Sequence, residues 1–175
     1  MKRRNWIVLA VALCAGLTAC VVNLSFDMRR TLQAISGAGN AINQTVVVDL
    51  SQYAEVQQHK GNIESISLDS ADAVITAVNK GGTTAHVNGT LSLRPDEAPA
   101  DGSQDVLVGK LVDVPVKIGQ TVHMAGSPQL DQLLLHALHG TGRFVAVVSG
   151  SSDAAIDCTI DVTVHASIGY DAGLL

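Results

Sequence analysis

Two histidines three residues apart, His136 and His139, are the first candidates for chemistry in this chain. On a helix that spacing puts both imidazoles on one face, where they could share a divalent cation. A third ligand, His123 or an aspartate, would have to come from elsewhere, and neither an HExxH motif nor a nearby glutamate accompanies the pair. A polar helix flank is the simpler account, with His139 suited to the negative end of a helix dipole. The acidic loop carrying Asp96, Glu97, Asp101 and Asp105 offers oxygens to calcium, but its spacing is not that of a helix-loop-helix calcium loop. No GxSxG elbow is present. Ser149-Gly150-Ser151-Ser152 reads as a turn, and Gly140-Thr141-Gly142 leads into a strand rather than into a phosphate-binding helix. No catalytic residue and no cofactor emerge, and the expected metal ligand set is none beyond the weak pair His136 and His139.

The elements that must position these residues are mostly strands. In segment 155–169, Ile156, Cys158, Ile160, Val162, Val164, Ala166 and Ile168 alternate with Asp157, Thr159, Asp161, Thr163, His165 and Ser167. A period of two over this length predicts a strand with one buried and one wet face, the habit of antiparallel sheets. Further strands are expected at 22–28, 45–50, 63–68, 73–78, 84–93, 106–108, 111–118 and 144–148. The polar Asp69-Ser70-Ala71-Asp72 separates two of these strands, and a turn is expected at 79–82. Pro115 suggests an edge strand or a bulge.

One good helix is expected at 128–139, capped by Ser127, begun by Pro128 and ended by Gly140. Its stripe of Leu130, Leu133, Leu134, Ala137 and Leu138 should cover an open end of the sheets. Short helical turns are expected within 29–44 and 52–60, and an exposed loop at 94–104. The fold class that follows is all-β, an antiparallel β-sandwich with one short capping helix. Its layout resembles the immunoglobulin-like sandwiches of envelope lipoproteins and of late-embryogenesis-abundant type proteins.

The first twenty residues, MKRRNWIVLAVALCAGLTAC, have a different logic. A basic start at Lys2, Arg3 and Arg4 precedes an apolar run and then small residues, the layout of a secretory signal peptide. Leu17-Thr18-Ala19-Cys20 resembles the bacterial lipobox. That resemblance implies a signal peptide at 1–19 recognised by signal peptidase II through Leu17, Thr18 and Ala19. It also implies a diacylglyceryl group on the Cys20 sulfur, an acylated amine such as palmitate supplies, and a single domain over 20–175. Val21 stands where an aspartate would favour inner-membrane retention, so for a Gram-negative source the resemblance implies the outer membrane. Ordinary signal peptidase cleavage fits less well with Leu17 at the third-last leader position, and an uncleaved span of roughly 17 apolar residues would be at the lower limit for crossing a bilayer.

Composition narrows the function classes. Of 175 residues, 47% are hydrophobic but only 3% aromatic, and the single tryptophan, Trp6, belongs to the leader. The exported core must be aliphatic. Loss of the leader takes 11 Lys+Arg to 8 against 16 Asp+Glu, a formal −8. Such a surface repels phosphate backbones, so nucleic acid is not an expected partner. Cys14 departs and Cys20 is acylated, leaving Cys158 without a disulfide partner and best read as a small core side chain. The expected function is a lipid-anchored, noncatalytic interaction or structural module of the cell envelope. Its expected partners are the membrane and another envelope protein or a second copy. The alternative is a carrier of an apolar ligand, and a metal-dependent enzyme is third.

Overall fold

A computed structural model describes residues 21–36, 38–80 and 84–172. Eight strands and two helices follow one another as β1 (Val21–Ile35), β2 (Ala41–Asp49), α1 (Ala54–His59), β3 (Ile63–Lys80), β4 (His86–Pro95), β5 (Val106–Pro115), β6 (Thr121–Ala125), α2 (Pro128–His139), β7 (Arg143–Ser152) and β8 (Asp157–Asp171). They form two four-stranded antiparallel sheets, in the orders β1-β8-β3-β6 and β2-β7-β4-β5. The all-β antiparallel sandwich with a short capping helix is thus the observed architecture. Apart from β4 and β5, which pair directly in one sheet, successive strands lie in opposite sheets, the connectivity of a jelly roll. Its likeness to immunoglobulin domains is one of layers rather than of strand order.

Period-two patterning explains most of these strands. On β8, Cys158, Ala166 and Ile168 are buried while Asp161 is exposed, as the alternation requires. Four expectations need correction, the first being that the strands expected at 106–108 and 111–118 are one, β5, with Gly109 and Lys110 paired to Leu91 and Thr90. Residues 29–35, expected as part of a helical turn, extend β1 through fifteen paired positions with β8. The segments at 63–68 and 73–78 are one strand, because Asp69 to Asp72 stay in the sheet through a register shift between Leu68 and Ser70. A bulge absorbs the polar insertion that would otherwise form a turn. The strand at Thr121–Ala125 was not anticipated, being too short for its alternation to stand out. Pro115 does end an outermost strand, β5.

Helix α2 follows the expected residues, with Ser127 Oγ accepting from Leu130 N at 3.4 Å. Its five apolar stripe residues are all buried. Asp131 Oδ1 accepts the Leu68 N–H at 2.9 Å, so the first helical turn supplies a partner to β3 just beyond the end of its pairing with β6. Gly126 makes that approach possible, since a Cβ there would overlap the Leu68 carbonyl. The helix closes one end of the sandwich over Phe26, Leu50, Ile66, Leu68 and Ile168. A second cluster, with Ile42, Ile75, Val116, Ile156 and Cys158, packs the opposite end.

Candidate functional site

Between those two packed ends the sheets do not meet fully. Leu32, Val46, Ala73, Leu91, Leu111, Val122, Ala146, Val148, Ile160 and Val162 line the space between the sheets, yet each is only partly buried. They border a partly open cavity of about 140 Å³ whose walls are almost wholly aliphatic. Among the described residues the two sheets share no strand pairing at either edge. At the β5/β6 edge the Met124 side chain lies across Gly109, where a Cβ would come within 2.5 Å of its Cγ. At the β1/β2 edge the lining includes Arg30 and Tyr53, and Gln120 is a third polar-tipped residue in the wall. A polar ligand would lose its water here without replacement bonds, so the space suits apolar matter.

Tyr53 follows the short turn after β2, where Asp49 caps the chain by accepting Ser51 N at 2.8 Å. Its ring packs against Phe26 at 6.1 Å between centroids, and the Arg30 guanidinium lies 5.7 Å from the Tyr53 ring centre. Burial raises the Tyr53 phenol above its ordinary value, against a smaller opposing pull from Arg30. Cys158, which also borders the cavity, is 2% exposed. Burial pushes its thiol up, with Asp157 adding to the effect, so it stays a neutral apolar group.

A second constellation lies on the outer face of the first sheet. Asp27 Oδ1 meets His165 Nδ1 at 2.8 Å, His165 Nε2 is 3.4 Å from Asp72 Oδ2, and Asp72 Oδ1 meets His123 Nδ1 at 2.7 Å. The ladder runs across all four strands, with Arg29 at its end on Asp27 at 3.4 Å. His165 spends its two ring nitrogens on different carboxylates, so these groups do not converge on one centre as metal ligands would. The Asp27 hydrogen bond, then the smaller effect of Asp72, hold the His165 imidazole above its usual value. Hydrogen bonds from His165 to Asp27 and from His123 to Asp72 hold those carboxyls below theirs.

A pH dependence follows. The raised imidazole stabilises the fold fully below about pH 6.5, and that contribution is lost as pH rises through its elevated folded value. The lowered carboxyls contribute above about pH 4, and their effect is lost as pH falls through their depressed folded values. The ladder is therefore strongest in mild acid. Tm should decline modestly from about pH 6 to 9, because solvent-exposed pairs are weak, and His165→Gln should flatten that decline. An unchanged slope in the variant would remove the ladder as its cause.

The residues singled out from sequence fare differently. His136 and His139 both sit exposed at the end of α2. His136 Nε2 turns to Glu97 at 3.3 Å, and no group of three metal-ligating side chains occurs among the described residues. The acidic loop is committed to other partners: Asp105 faces Arg94 at 3.7 Å, Asp96 faces Arg143 at 3.4 Å, and Asp101 accepts from Ser103. Leu17, Thr18, Ala19 and Cys20 lie outside the described residues. No described helix is long and apolar enough to cross a membrane. Sequence reasoning passed over Arg30, Tyr53 and the Asp–His ladder. For Arg30 a signal existed, since it interrupts the inward series Phe26, Met28, Leu32, Ala34 once 29–35 is read as strand.

No protein-family model matches the sequence, and no curated protein matches it. Among solved structures the chain is similar to the BFDV capsid protein in its decameric form, at 12% identity over 85% of this chain and 99% of that one, with a TM-score of 0.40. It is similar to a structure of Desmodium yellow mottle tymovirus at 10% identity, covering 91% and 93% of the two chains, with a TM-score of 0.42. A turnip yellow mosaic virus structure is similar at 13% identity, covering 86% and 94%, with a TM-score of 0.36.

Proposed function

We propose that this chain is a noncatalytic carrier that holds an apolar ligand between its sheets and is tethered to a membrane through Cys20. The observation that carries the first half is the row of partly buried aliphatic side chains around the 140 Å³ space, between two buried apolar clusters that also border it. An aliphatic core short of large rings could close around its own side chains; this one closes only at its ends. At about 24 cal/mol per Å³, leaving such a space empty costs roughly 3 kcal/mol, which a fitting ligand would recover in part. The tether is supported by Leu17-Thr18-Ala19-Cys20 and the basic and apolar segments before it. Several acyl chains on one residue would make attachment to the envelope membrane, the outer one in a Gram-negative cell, stable.

Organic extraction of the purified protein should release an apolar small molecule. After extraction, saturating benzene should raise the Tm of the wild type, and it should leave Ala146→Leu, whose longer side chain fills the space, unmoved. A protein that yields no extract and does not respond to benzene is not a carrier. The second reading, a tethered interaction module working through another envelope protein or a second copy, would then stand in its place. It is favoured by Leu107 and Val112 on outermost strand β5, 46% and 73% exposed.

A further inference from the structure

Arg30 occupies an inward position of β1, between Met28 and Leu32 on a face otherwise apolar, opposite Val162 of β8. Its stem lines the cavity and its guanidinium reaches the β1/β2 edge. There Nη2 donates to Gln52 Oε1 at 2.7 Å and Nη1 to the Arg29 carbonyl at 3.2 Å. Both acceptors are neutral, and Arg30 has no carboxylate partner among the described residues. Beside it the Tyr53 hydroxyl is buried and has no hydrogen-bond partner among the described residues. A buried hydroxyl left without a partner destabilises the fold, and such groups call for an explanation. The Arg30 guanidinium, 5.7 Å from the Tyr53 ring centre, and the buried Tyr53 hydroxyl thus belong to two residues that line the apolar cavity at this edge, and neither has an anionic acceptor among the described residues.

We infer that the cavity's ligand is a medium-chain carboxylate, its chain between the sheets and its head at the β1/β2 edge, bound by the Tyr53 hydroxyl and the Arg30 guanidinium. The inference rests on the carrier reading and names the ligand class for that same cavity. The size is set by the space: a cavity of about 150 Å³ accommodates benzene, so about six carbons fit in full enclosure and a slightly longer chain reaches the polar edge. The head is set by the donors. Burial keeps the Tyr53 phenol protonated and able to donate, while the guanidinium supplies the charge and a fork that matches a carboxylate. A neutral head would use the hydroxyl and leave the cation unanswered.

The test is calorimetric titration of the purified, extracted full chain with octanoate, 1-octanol and octane near neutral pH. Octanoate should bind about tenfold or more tightly than 1-octanol, the range expected for a charge-assisted hydrogen bond. Arg30→Gln should bring octanoate down to the level of 1-octanol. Tyr53→Phe, an isosteric change that removes the unpartnered hydroxyl and so should fold at least as well, should weaken octanoate severalfold and leave octane unaffected. Equal binding of the three probes, or an octanoate preference that survives both variants, would overturn the carboxylate head and leave the apolar cavity intact. Failure of all three probes would instead overturn the carrier reading beneath it.

Discussion

Cys158→Asp should lower the free energy of unfolding by ~3 kcal/mol or more near neutral pH, while Thr159→Asp one residue away should leave it nearly unchanged. Cys158 is 2% exposed and packs with Ile42, Ile75 and Ile156 at the end of the sandwich away from α2. A carboxylate there loses its water and finds no cation, so it either stays charged at great cost or takes up a proton. The sign follows from that choice. Burial raises the folded pKa of the introduced carboxyl above its unfolded value, so the variant recovers stability as pH falls toward the unfolded value and loses it as pH rises. Thr159 points to the opposite face, beside Asp157 and Asp161, where added like charge costs little in water. Denaturant midpoints at two pH values check both statements. Equal losses in the two variants would mean that the facing of β8 is wrong.

Leu134→Ala should cost about 3 kcal/mol, within the usual 2–5 for a buried leucine, and Gln132→Ala two positions earlier should cost under about 0.5. Leu134 has no exposed surface, and it packs with Leu130, Leu133 and Leu138 onto the end of the sandwich nearest β3. Gln132 is exposed. The loss should be larger than the side chain's transfer energy, because Asp131 fastens the helix to the Leu68 amide and Gly126 holds the chain against the Leu68 carbonyl. The helix cannot sink into the vacated space without giving up those contacts. Urea titration measures the effect. A loss well under 1 kcal/mol would show that α2 lies over the sandwich without plugging it.

How much of this was legible beforehand depended on whether the signal was local. The alternation of β8, the Ser127-Pro128 start of α2 and its leucine stripe, and the edge position implied by Pro115 all express constraints within a few residues, and all correspond to the observed elements. In residues 29–35 the alternation of β1 is interrupted by Arg30 at an inward position, which hides the strand. An arginine stem can line an apolar wall with its head at the rim, and only the pairing with β8 reveals that Arg30 is such a case. Asp69 to Asp72 misled because a polar cluster between apolar runs usually separates two strands. Here Ser67, Asp69, Ser70 and Asp72 cross the sheet on a bulge, and Asp69 and Asp72 bind Ser167 and His165 of the neighbouring strand.

By itself, the order of residues determined the secondary-structure class, the inward and outward faces of β8 and the capping helix. Each depends on side-chain period or on neighbours along the chain, which need no knowledge of the fold. Tertiary structure alone decided the jelly-roll strand order, the unfilled space between the sheets, the Asp–His ladder and the meeting of Arg30 with Tyr53. Those features arise from strands that are distant along the chain, and alternation specifies that a strand has a buried face without specifying what lies opposite it. A cavity is the clearest example, since it is defined by atoms that fail to meet.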